Sequence, residues 1–221
     1  MSTPRIPPRP YANWDAEVRD ALSVLRLPGS GPAPEQPAPG QPAPERQERQ
    51  RLRREPSNLV STFLQHPKLA KAFLVFNNHL FSSTLSDRAR ELVALRVCWL
   101  RRGEYEWAQH VRLARAAGMS EAEIDAIGEG PGSAVWGPLD AALLRSVDEM
   151  LRDRCVSDET WALLGERLDR QQLMDLVFTA GAYDMLCMAF NTFGLELDSD
   201  LAGFPEPAGN GNTEKQGHDG S

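Results

Sequence analysis

Three polar side chains in the stretch 86–118, SDRARELVALRVCWLRRGEYEWAQHVRLARAAG, have types and spacing suited to proton transfer: Glu91, Glu106 and His110. Glu106 and His110 are four residues apart, so on a helix they sit one turn apart on one face. Leu113, Ala114 and Ala117 continue that face with small or apolar surface, which turns the pair toward an interior or a pocket. A carboxylate and an imidazole against an apolar wall form an acid/base couple. The spacing leaves a second reading open, because Glu-x-x-x-His is also an ordinary local helix pair worth ~0.2–0.5 kcal/mol. Glu91 stands among Leu92, Val93, Leu95, Val97 and Trp99, a setting that draws it inside. A buried carboxylate needs a partner, and Arg88 is the local arginine that offers one.

Two helices must position this set, one dense in apolar residues and one amphipathic, meeting near Arg102 and Gly103. Ser86 or Asp87 caps the first, and Gly118 ends the second. Ser120 to Glu123 reads as a capping box for the next helix, Pro138 as the start of another, and Ser157 and Asp169 as caps of two more. Before the pair, the chain over 58–81 reads as two short helices broken at Pro67, with Leu69, Phe73 and Phe76 as a core stripe and His66 and His79 as caps or surface groups. In the last long helix Leu173, Val177, Ala180, Asp184 and Cys187 share a side; Asp184 and Tyr183 are candidate polar groups of a site, with Tyr183 also readable as a core aromatic with a satisfied hydroxyl. The glycines of 128–132 lack the strand-before, helix-after context of a phosphate loop and read as a connector. With no strand pattern, the expected fold class is all-α, a helical bundle.

Composition bounds the rest. At 221 residues and 41% hydrophobic, the chain can bury one core but hardly two. Residues 1–56 form an N-terminal arm: a proline-rich start, a short helix capped by Asn13 with Trp14, Val18, Leu22 and Leu25 as its stripe, a Pro/Ala linker over 28–45, and a basic run over 46–54. The arm is expected to dock on the domain or on a neighbouring subunit. The domain spans 57–197, and 198–221 reads as a disordered tail. A net charge of −7 argues against nucleic acid or an anionic membrane as the main partner. The apolar stretch 173–195 carries Asp175 and Asp184 and reads as a buried helix rather than a membrane span. Cys98, Cys155 and Cys187 show neither CxxC nor metal-ligand spacing, and no leader pattern opens the chain; a reduced, cytoplasmic setting with no metal is the expectation.

The segments HPKLAKAF, RARELVALRV and EYEWAQHVRLARAAGMSEAEI, and more loosely LVFTAGAYDMLCMAFNTFGLELD, resemble the carboxymuconolactone decarboxylase family, which includes the alkylhydroperoxidase D-like proteins. The resemblance runs from Asn58 through Leu197. It implies a helical bundle that assembles as a homo-oligomer, a trimer or hexamer. In the peroxidase branch a glutamate precedes a CxxC whose second cysteine lies four residues before a histidine; here those positions are Glu91, Gly103, Glu106 and His110. Both cysteines are missing, and glycine and glutamate cannot form the disulfide of a thiol peroxidase. In the decarboxylase branch a glutamate precedes the histidine at i−4, as Glu106 precedes His110. That branch removes carbon dioxide from a small lactone acid without metal or organic cofactor.

The resemblance thus implies a small-molecule substrate, no cofactor and a catalytic set of His110, Glu106 and Glu91. His110 would donate or shuttle the proton, and Glu106 would orient it and raise its basicity. Arg90 or Arg96 would hold the substrate carboxylate, since a guanidinium matches it bidentately. Two further readings stand beside this one: an alkylhydroperoxidase-like protein using a thiol outside a CxxC, such as Cys98, and a non-catalytic helical oligomer.

Overall fold

The computed structural model describes residues 3–25 and 57–205, and its described residues contain helices, turns and no strand. The Pro/Ala linker, the basic run and most of the C-terminal tail lie outside them. Nine α-helices follow in chain order: α1 (Ala16–Leu22), α2 (Asn58–Phe63), α3 (Pro67–Phe81), α4 (Asp87–Arg101), α5 (Glu104–Ala116), α6 (Glu121–Ala126), α7 (Pro138–Asp153), α8 (Asp158–Gly165) and α9 (Arg170–Phe193).

Local chemistry sets most of their ends. Ser86, Ser120, Ser157 and Asp169 each accept a backbone N–H with the side chain at a helix start, and Ser120 and Asp169 complete capping boxes. Pro138 opens α7, where its missing N–H leaves no bond unmade. Asp15, not Asn13, caps α1, because its carboxylate reaches Val18 N at 2.9 Å. Leu69 is half exposed and falls outside the core stripe, since α3 turns that side away from the bundle.

The centre of the bundle is α4. Every residue from Ala89 to Cys98 is buried, including Arg90, Glu91 and Arg96, as expected of a helix enclosed on all sides. It packs on α5, α7 and α9, which contribute Trp107, Ala114, Leu143, Val147, Leu176, Tyr183 and Phe190 to one continuous core. Between α4 and α5 the chain reverses within two residues. Arg102 adopts a left-handed conformation (φ 52°) and its N–H closes the end of α4. Gly103 then passes so close to Cys187 on α9 that any Cβ there would collide with its Sγ.

A second, smaller cluster holds the arm. Val18 and Ala21 of α1 bury themselves against Leu64 and Ala70, with Trp14 and Leu22 at the edge. Arg5 and Ile6 donate backbone N–H groups to Phe193 O, Arg9 does so to Ser61 O, and Asn78 donates from its side chain to Val24 O at 2.6 Å. The arm therefore straps the end of α9 to α2 and α3 of its own chain. At the other end the chain beyond Leu197 also packs down. Asp198 accepts from Tyr105 Oη at 2.6 Å and from Asn58 N at 2.8 Å. Phe204 stacks on Trp107 with ring centroids 5.1 Å apart. The polar composition after Ser199 pointed to disorder, but Phe204 finds a two-tryptophan platform at Trp99 and Trp107, and the expectation fails as far as residue 205.

Candidate active site

The tight α4–α5 turn brings Glu91 and His110 face to face although nineteen residues separate them. His110 Nδ1 lies 2.6 Å from Glu91 Oε2, and Nε2 lies 3.4 Å from Glu106 Oε2. All three residues are at most 4% exposed. The imidazole is thus held between two carboxylates, and the edge contact of Tyr183, with centroids 4.5 Å apart, fixes the ring plane. Behind Glu91, Arg90 Nε donates to Oε1 at 3.1 Å, while its Nη1 pairs with Asp87 at 2.9 Å.

Burial alone would depress the His110 pKa, but Glu91 and Glu106 outweigh it and raise the pKa to about 10. At neutral pH the ring is an imidazolium, donating from both nitrogens. Glu91, Glu106, His110 and Arg90 then carry two negative and two positive charges, which is how four ionisable groups are tolerated inside the bundle. One atom is left over. Glu106 Oε1 is buried and has no hydrogen-bond partner among the described residues. A buried carboxylate oxygen without a donor costs roughly 1–3 kcal/mol or more, so its position calls for an explanation beyond packing.

Glu106 lines two cavities. The larger, of about 400 Å³, is also lined by His110 and Tyr183 and is walled by Leu59, Phe73, Leu113 and Leu186. Its polar rim is Asn77, Gln109 and Arg112, and Leu25 of the arm contributes to its wall. The smaller, of about 220 Å³, lies between Gly103, Tyr105, Cys187 and Phe190.

Of the sequence candidates, the structure brings His110, Glu106 and Glu91 together. It does not bring the two arginines to the cavity. Arg96 makes a bidentate pair with Asp148 (2.7 and 2.9 Å) and donates to Ile127 O at 2.7 Å, so it fastens the loop before α7. Gly130, at φ 88°, packs against the same guanidinium. Arg90 lies on the far side of Glu91. Arg88, the local partner considered for Glu91, instead spans to Glu123 (2.6 Å) and Asp140 (2.7 Å). Asp184 is taken by Arg101 at 2.6 Å. Tyr183, read from the sequence as a core aromatic or a site group, lines the cavity, whereas Arg112 is a cavity residue that local sequence did not single out. The one available signal for Arg112 was its i+3 spacing from Gln109, which puts the two polar side chains on one side of the helix.

The cysteines separate into two kinds. Cys98 and Cys187 are fully buried with sulfurs 4.0 Å apart, and burial pushes the Cys98 thiol well above its usual range. A protonated, enclosed thiol is a poor nucleophile. Cys155 is exposed. Iodoacetamide on the native protein should therefore label one thiol per chain, at Cys155, and all three only after denaturation, as counted by intact mass. Fast native labelling of Cys98 would revive the thiol reading.

Comparison with known proteins agrees with this geometry at the level of the fold and the family. Several solved structures share the architecture, and three of them illustrate it. One is a protein of unknown function from Agrobacterium tumefaciens, described as a candidate antioxidant-defence protein AhpD (22% identity, TM-score 0.58, covering 62% of this chain and 94% of that one). The second is an alkylhydroperoxidase AhpD core, a peroxidase-related protein from Ralstonia eutropha (18%, 0.61, 79% and 95%). The third is the debrominase Bmp8, a variant of which was solved with 2,3,4-tribromopyrrole (12%, 0.62, 90% and 94%). At these identities they show a common AhpD-like helical fold. No curated protein sequence matches significantly. Residues 67–149, from α3 into α7 and including Glu91, Glu106 and His110, match the model of the carboxymuconolactone decarboxylase family.

Proposed function

We propose that the protein is a cofactor-free acid/base enzyme, a carboxy-lyase or isomerase, acting on a small enolisable carboxylic acid or carboxylated lactone. The observation that supports this most is Glu106: one oxygen is tied to His110, the other is buried and unpartnered, and the residue lines an apolar cavity. Such an atom is suited to exchange a proton with a bound carbon acid. In decarboxylation, the C–C bond electrons of the departing carbon dioxide pass into a conjugated carbonyl, and the resulting enolate carbon takes a proton that the Glu106 carboxylate has accepted from the His110 imidazolium. His110 gives up its Nε2 proton in that step and regains one from solvent after product release, and Glu91 stabilises the ring through Nδ1. In isomerisation Glu106 removes a proton and returns it at a second carbon. The same triad serves both, because each needs one proton moved at one face of a flat substrate.

Arg112 takes the role first expected of Arg90 or Arg96. It lies at the polar rim, where its partner Asp200, at 3.2 Å, is exposed and the pair is weak. A substrate carboxylate would displace Asp200, leaving the apolar body of the ligand against Phe73, Leu113 and Leu186.

The test is turnover of carboxymuconolactone and a panel of small enolisable acids, followed by carbon dioxide release and by deuterium uptake from D₂O. The expected result is turnover or exchange with at least one acid, abolished in His110→Ala. Arg112→Ala should raise KM about tenfold or more with kcat little changed, as loss of a uniform binding contact requires. A panel without either signal in the wild type would remove this reading.

A further inference from the structure

Glu106 lines both cavities, and among the described residues only Tyr105 shares that position. These two residues form the partition between them. Tyr105 is fixed in place, because it is 3% exposed and its hydroxyl donates to Asp198 at 2.6 Å. The two sides of the partition differ in chemistry. Leucines and phenylalanines make up the largest share of the larger cavity's lining, with Arg112 its one exposed member among the described residues. In the smaller cavity the exposed lining residues, Arg102, Glu104 and Asn191, are all polar, and the buried ones include Gly103, Glu106 and Cys187. It therefore runs from a charged mouth at the surface to the Glu106 side chain.

A volume of about 220 Å³ admits several waters, each of which takes roughly 30 Å³ in the liquid. Buried water settles where polar groups are otherwise unsatisfied, and Glu106 Oε1 is such a group. The donors at the mouth are engaged elsewhere. The Arg102 guanidinium lies over the Trp99 ring, 5.5 Å from its centroid, and the Asn191 amide donates to Arg101 O at 3.1 Å. A carboxyl group with water on one oxygen and an imidazole on the other can pass a proton across itself. It takes the proton at Oε1, turns about Cγ–Cδ, and releases the proton to His110 Nε2. The water is made good from solvent along the cavity.

We infer that the smaller cavity is a water-filled proton inlet to the Glu106–His110 pair, separate from the larger cavity that would seat an organic ligand. The catalytic use of the inlet rests on the proposed function. The proton that His110 gives up has to be replaced each turnover, and the apolar wall of Phe73, Leu113 and Leu186 offers water few partners. Water in the smaller cavity does not depend on that reaction.

The test measures how fast the ring N–H protons of His110 exchange with water, by nuclear magnetic resonance on the full chain with nitrogen-labelled histidine. Each cavity is plugged in turn, in a Cys155→Ser background, through one new thiol carrying a benzyl methanethiosulfonate adduct. Asn191→Cys plugs the smaller cavity and Asn77→Cys the larger, while Cys98 and Cys187 stay enclosed. With the inlet closed, exchange waits on opening of the fold, so the adduct at Asn191→Cys should slow it about tenfold or more relative to the unmodified variant. The adduct at Asn77→Cys should slow it less than about twofold, since the inlet stays open. Asn191→Trp repeats the block without a reagent, and the shift of the Nδ1 proton shared with Glu91 reports that the site is intact. Equal slowing from the larger cavity, or exchange unaffected by both blocks at Asn191, would overturn the inlet. With an acid that responds in the panel, blocking the smaller cavity should lower kcat with KM little changed, whereas blocking the larger should raise KM. A panel without turnover would remove the proposed reaction, and the exchange rates would still decide the inlet.

Discussion

Replacing Glu106 by glutamine is expected to lower kcat on a responsive acid by 10²–10⁴-fold, the order of magnitude a positioned general acid or base contributes, while KM changes little. Glutamine fills the same space and keeps the cavity wall, so the fold should survive with its thermal midpoint close to wild type. What it lacks is an oxygen that can carry a proton to the substrate. It also removes one of the two carboxylates that hold His110 charged, so the imidazole pKa should fall. A nuclear magnetic resonance titration of His110 alongside the kinetics separates the two consequences. A lowered pKa with unchanged kcat would show that Glu106 tunes the ring without touching the substrate.

The second large effect is on stability. Glu91→Ala leaves an imidazolium and Arg90 buried without their shared carboxylate, and breaking such a pair costs about 3–5 kcal/mol. The dependence on pH has a definite sign. The folded pKa of His110, about 10, is above its unfolded value of 6.5, so folding binds the proton more tightly. The contribution is fully present below pH 6.5, declines as pH rises above it, and is gone once pH passes about 10. Urea midpoints of the wild type should fall across pH 7–10, and Glu91→Gln should flatten that slope. A midpoint that instead rises over this window would mean that the ring is held neutral.

Why some of this could be read from the chain and some could not follows from the range of each interaction. Ser86, Ser120, Pro138, Ser157 and Asp169 act on backbone groups within three residues, so helix starts were legible. Glu106 and His110 were legible because one helical turn relates them. Glu91 reached the same cluster through the family resemblance; its local spacing suggested Arg88, whose actual partners lie 35 and 52 residues away. The Cys98–Cys187 contact spans 89 residues and had no local trace. Arg90 and Arg96 looked available because an arginine on a central helix has few partners in sequence. Burial reverses that expectation, since an enclosed guanidinium must be satisfied by groups such as Asp148 and Ile127 O. Val177, placed among the inward residues of α9 by its spacing, is exposed because the helix presents two apolar sides, and periodicity cannot say which of them faces the core.

The arm adds a thermodynamic consequence. Leu25 helps to wall the larger cavity, and its segment is held to α2, α3 and the end of α9 by contacts rather than by direct continuity with the helices it covers. Ligand affinity and arm docking are therefore linked quantities, and linkage is reciprocal. Whatever factor the docked arm contributes to holding a ligand, the ligand must return as added resistance of the arm to detachment. Protection of the Leu22–Leu25 amides from hydrogen exchange would then report occupancy of a cavity lined by Glu106 and His110 of α5.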